Sequence, residues 1–204
     1  MDYNQLTAAK TVSGSIQNWI NDSTLPVTDI LTESQAWIYQ RLRTREMTSL
    51  NTNFRFVNNT NFTALPADFL DPIQFLPWGW SDPLEFEHEE AIRIPLDQNG
   101  NLFLGTPSQW TIIGTNAYVD VSCNGDFPGA LMYYALPPAL SGINTTNFLT
   151  VRYPTLLRRT CMAYGYEFRK DRERAQTEFA LANMALAEAM AANELFRRTQ
   201  QYHT

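Results

Sequence analysis

The sequence predicts an α+β fold in which a helical body drawn from both chain ends carries a small antiparallel β insertion. Three observations lead there. Residues 3–45 and 147–200 space their apolar side chains at helical intervals. Residues 50–136 instead break into short aromatic or β-branched runs separated by Asn, Gly, Asp and Pro. The composition, 44% hydrophobic and 13% aromatic over 204 residues, is that of a chain able to bury a core. The expected divisions are 1–50 (N-terminal helices), 51–140 (β-rich insertion) and 141–204 (C-terminal helical hairpin and tail), forming one subunit.

The first helix is expected to carry Leu6, Ala9 and Val12, with an extension to Ile16 and Trp19 unless Gly14 breaks it. A second helix follows LPVTD, with Ile30, Leu31, Ser34, Ile38 and Leu42 facing inward and Gln35, Gln40, Arg43 and Arg45 outward. NFRFV, FTALP, LEFEHEEAIRI, SQWTIIG, AYVDVS and ALMYYAL read as strands. DQNGN at 97–101 and GTN within IIGTNAYVDV read as hairpin turns. ALPADFLDP interrupts the strands with a helical turn capped by Asp68, and is expected to act as a hinge between the β insertion and the helical body. Pro154 suits the first turn of a helix through Leu156, Leu157, Cys161, Tyr164 and Phe168. Asp171 is placed to cap a last helix bearing Ala175, Phe179, Ala182, Leu186 and Met190. Beyond Met190 this pattern weakens, and so polar an end is expected to fray.

Several function classes lack their signatures. Cys123 and Cys161 stand far apart, with no CxxC pair and only His88 and His203 to join them, so neither a zinc cluster nor a disulfide framework is expected. MDYNQLTAAK lacks a basic segment followed by an apolar one, and no run reaches the roughly 18 apolar residues of a membrane span. No Gly-x-Ser-x-Gly, Walker or GxGxxG pattern occurs, and no cofactor is expected. The net charge is −6, with about +3 from Val151 onward and about −9 before it, and no clustered basic stripe to grip nucleic acid.

Two stretches invite a chemical reading. LEFEHEEAIRI, if extended, puts Glu85, Glu87 and Glu89 on one face and Phe86 and His88 on the other. A hydrolase using Glu85, Glu87 and His88 is one reading. Carboxylates alternating on a single strand, however, are not held across a cleft, and an acidic solvated or channel-facing edge is the better expectation. Trp78, Trp80 and Trp110 are candidates for stacking sugars in a carbohydrate-binding module, or for anchoring a core or an interface.

The order of LP-x-DF at 65–69, GTPSQWTIIG at 105–114, ALMYYALPPAL at 130–140 and YEFRKDRERAQTEFALANMAL near the end resembles the head-to-tail adaptor (connector, or head-completion) proteins of tailed bacteriophages, podovirus type. The resemblance spans roughly residues 1–195. It implies a structural virion protein and no enzyme, made in the host cytoplasm. Copies are expected to form a ring, dodecameric like the portal above it, that joins head to tail and extends the channel for double-stranded DNA. Its partners would be the portal protein, tail or nozzle proteins and further copies of itself, with no membrane. Another tail structural subunit is the neighbouring alternative. The resemblance also implies a C-terminal segment that docks on the portal, which points to Phe196, Arg197, Arg198 and Tyr202. Glu85, Glu87 and Glu89 are the expected channel-facing acidic residues.

Overall fold

The computed structural model describes residues 1–92, 96, 98, 100 and 102–201, with side chains up to residue 194. The chain divides into two compact units, one made of Met1–Met47 with Pro137–Thr204 and the other of Thr48–Leu136. The first holds all six helices among the described residues and the second all nine strands.

In the first unit the expected opening helix is two short ones, α1 (Tyr3–Leu6) and α2 (Ile16–Ile20). Gly14, at φ +88, supplies the left-handed residue that separates them, and Ser15 then caps α2 by accepting from the Asn18 N–H. Val12 falls in the break and is exposed rather than inward-facing. Helix α3 (Val27–Arg41) buries Ile30, Leu31, Ser34 and Ile38 as its spacing predicts. Gln35 departs from expectation. It is buried, and its amide donates to the Leu31 carbonyl and accepts from the Leu140 N–H, 2.8 Å away. A side chain that satisfies a loop N–H is worth burying, because an unpaired buried amide costs more than the burial does.

A 3-10 turn (Arg45–Met47) leads out of this unit, and α4 (Phe148–Arg152) re-enters it behind a capping box built by Asn147 and Thr150. Helix α5 (Pro154–Phe168) starts at Pro154 in its first turn, and Asp171 caps α6 (Arg172–Gln201) by accepting from the Arg174 N–H. The backbone of α6 stays helical past Met190. Gly165 lets α5 approach α2 and α3 closely, since a Cβ there would collide with Ile20 and touch Ile30. A single Nη1 of Arg159 on α5 donates to both carboxylate oxygens of Glu178 on α6, at 3.0 and 3.2 Å.

The second unit contains a three-stranded antiparallel sheet, β1 (Thr48–Phe56), β9 (Phe127–Ala135) and β3 (Phe69–Pro77), in the order β1-β9-β3. Pro72 and Pro77 fit β3 because it is an edge strand. Gly129 of central β9 sits against the Leu76 carbonyl and the Phe75 ring, where a Cβ has no room. A second sheet has the order β2-β7-β6-β4, from β2 (Phe62–Ala64), β4 (Glu85–Phe86), β6 (Gln109–Ile113) and β7 (Asn116–Val119). The β6–β7 hairpin turns on Gly114 (φ +61) and Thr115, with Asn116 already in the strand. Strands β5 (Leu104–Gly105) and β8 (Ser122–Cys123) pair in parallel, as do β4 and β6, so the region is mixed rather than wholly antiparallel. Leu96 and Leu102 bridge across the DQNGN segment, of which Asp97, Asn99 and Asn101 lie outside the described residues.

Phe54, Phe56 and Phe75 meet edge to face at 5.4–5.7 Å and form the centre of this unit's core, with Trp110, Val119 and Leu131 around them. ALPADFL takes a different part from the one expected. Pro66 and Phe69 close a turn between β2 and β3, inside the β unit. Asp68 caps no helix there. Its carboxylate accepts from the Tyr133 hydroxyl at 2.9 Å and its carbonyl from the Leu136 N–H, which fixes β3 to the end of β9.

Candidate functional site

The acidic stretch is not one strand. Only Glu85 and Phe86 pair with β6, and the chain turns at His88, whose carbonyl accepts from the Ala91 and Ile92 N–H groups. A strand needs a partner along its length, and β6 offers one to Glu85–Glu87 alone. Glu85 and Glu89 are exposed and Glu87 is half-buried, so the three carboxylates do not share the extended face expected of them. His88 and Glu89, with Asp71, Phe69, Phe86 and Thr111, line a hollow of about 330 Å³. Glu85 points elsewhere, accepting from the Gln109 amide at 3.4 Å. Among the described residues no three His, Cys, Asp or Glu side chains gather closely enough to hold a metal ion.

The tryptophans separate by role. Trp110 is fully buried in the β core, against Phe75 and Phe86. Trp78 is 63% exposed on a turn around Gly79 (φ +83), and Trp80 packs edge to face on Phe127. They form no common stacking platform. Both thiols are sealed: burial pushes Cys123 up to about 11, helped by Asp120 and Asp126, and Cys161 up to about 12. Such thiols are not nucleophiles at neutral pH. Phe196, Arg197 and Arg198 belong to the helical backbone of α6, but their side chains, and Tyr202 altogether, lie outside the described residues.

A concavity in the helical unit has no counterpart in the sequence patterns. A cleft of about 670 Å³ runs between α3 and α5. Asp29, Glu33 and Trp37 face it from α3, four residues apart and so on one side of the helix; Tyr164, Glu167 and Phe168 face it from α5. Phe179 of α6 packs on both Trp37 and Tyr164, with ring centres 6.1 and 5.2 Å away. Arg41 lies over Trp37 at 4.6 Å. Burial first, and then the Glu33 and Glu167 carboxylates, hold the Tyr164 hydroxyl above its ordinary pKa, with Arg41 opposing them. None of the three carboxylates forms an ion pair among the described residues. The Asp29, Glu33, Trp37 spacing was visible in sequence; its α5 partners lie some 130 residues away and were not.

Charge is divided as sharply as structure. The β unit carries two arginines against ten carboxylates, a net −8, while the helical unit is +2. Residues 6–203 match the SU10 adaptor protein family, and the chain belongs to that family, a family of phage head-tail adaptors. No curated protein matches the chain. Among the described residues no helix is long and apolar enough to cross a membrane.

Proposed function

We propose that copies of this protein form a ring, dodecameric and of the podovirus type, directly below the portal, where it joins head to tail and continues the DNA channel into the tail or nozzle proteins. Membership of the adaptor family over residues 6–203 is the observation that carries this reading. The charge distribution supports it. A β unit at −8 repels phosphates, so that a duplex beside it slides, whereas a basic wall would hold the DNA through counterion release. Glu85, Glu87 and Glu89 are assigned to the channel side and Phe196, Arg197, Arg198 and Tyr202 to the portal. Arg and Tyr suit such docking by combining directed hydrogen bonds with broad apolar contact.

Deletion of Phe196–Thr204 tests the assignment. Thermal stability of the free subunit should hardly change, while co-sedimentation with portal rings should fall sharply. Portal binding by the truncated chain at the full-length level would contradict it and move the contact to another surface.

A further inference from the structure

Resting on the ring reading, we propose that the cleft between α3 and α5 is a subunit-subunit socket that receives the guanidinium groups of Arg45 and Arg152 from a second copy of this chain. The socket has the chemistry for them. Tyr164 and Phe168 offer aromatic faces beside Trp37, on which Arg41 already lies, and Asp29, Glu33 and Glu167 offer carboxylates with no ion pair among the described residues. Arginine is the side chain that uses both at once, stacking by its plane and forking to a carboxylate by its edge. The chain holds thirteen arginines and two lysines, and already stacks Arg41 on Trp37, Arg158 on Trp19 and Arg174 on Tyr166 within one subunit.

The complementary residues lie just beyond the other end of this pair of helices, Arg45 in the 3-10 turn after α3 and Arg152 at the end of α4 before α5. Ile30 approaches Gly165 at one end of the pair, and Ser34 hydrogen-bonds Cys161 a turn further on, so α3 and α5 run antiparallel. Glu167 therefore sits at the acidic end. The Arg45 and Arg152 guanidiniums flank Glu46 at 3.5 and 4.0 Å at the other, with side chains 45% and 57% exposed. The 15 residues of α5 separate the two ends by about 22 Å. A subunit with acidic, aromatic chemistry at one end and two exposed arginines at the other suits head-to-tail repetition, the association that closes into rings.

Charge exchange between copies tests the pairing. Glu33→Arg with Glu167→Arg makes both ends positive, and Arg45→Glu with Arg152→Glu makes both negative. Each variant alone should assemble on portal rings roughly tenfold or more weakly than the original chain, as read by sedimentation and negative-stain microscopy. An equimolar mixture should restore rings of alternating copies, because the substituted or original 45/152 pair of each variant then meets a cleft of opposite charge on the other. Should the Arg45→Glu, Arg152→Glu chain fail to fold beside Glu46, the neutral Arg45→Gln, Arg152→Gln chain replaces it and should assemble more weakly than the original, with less salt dependence. Rings of unchanged affinity in every variant would refute the socket and leave the ring reading intact. Variants that ring normally but release the portal would assign the cleft to the portal protein and refute a second copy as its occupant. Unsubstituted chains that stay monomeric on portal rings would refute both.

Discussion

The Arg159–Glu178 pair ties α5 to α6, and its two halves are unequal. The Glu178 side chain is 12% exposed and the Arg159 side chain 34%. Arg159→Met keeps the aliphatic stem but leaves a mostly buried carboxylate without its cation. For a fully buried pair that loss is about 3–5 kcal/mol, and water reaching Arg159 lowers it here to about 2 kcal/mol. Glu178→Gln leaves an amide oxygen that still accepts, facing a guanidinium that can turn to solvent, at a cost of about 1 kcal/mol. At about 2–4 °C per kcal/mol for a chain of this length, the midpoints should fall by about 4–8 °C and about 2–4 °C. Thermal melts followed at the helical 222 nm band, completed with the double variant, give the coupling, expected at about 1 kcal/mol. Equal losses from the two single variants, or strict additivity, would refute the argument from unequal burial.

Two further expectations follow from the same geometry. The Cys161 thiol is raised from its ordinary 9.0 to about 12, so the folded state keeps a proton that the unfolded chain releases. Its stabilising contribution is whole below pH 9 and is lost as pH rises from there toward 12, by up to about 1.4 kcal/mol per pH unit. Cys161→Ala should therefore flatten the stability profile between pH 9 and 10 in urea titrations; an unchanged slope would contradict the sealed thiol. Replacing Glu85, Glu87 and Glu89 by Gln should leave folding and ring assembly nearly intact, since charges at exposed Glu85 and Glu89 contribute little and the Gln side chain keeps the shape of half-buried Glu87. Genome ejection should become slower and more salt-sensitive, and unchanged ejection would place these residues outside the channel.

Local rules that act within a few residues were legible in the sequence. The α3 spacing, Pro154 opening α5, Asp171 capping α6 and the Gly114 turn depend on neighbours close along the chain. Rules that depend on a distant partner were not. Asp68 reads as a cap until Tyr133, 65 residues on, donates to it, and Gln35 reads as exposed until Leu140 reaches it. The glutamate run alternates like a strand, but β6 pairs with only its first part. The parallel β4–β6 and β5–β8 pairs leave no turn signal between consecutive runs. The cleft failed to show for the same reason: half of it is a clear i, i+4 row on α3, and the other half waits on α5.

The central claim is most directly tested by electron microscopy of this protein mixed with isolated portal rings. A second ring is expected, stacked coaxially below the portal, with one copy of this chain per portal subunit and an open axial channel lined by the β units. Portal rings that remain bare at saturating protein, or protein bound singly to the portal's outer wall without closing a ring, would contradict it.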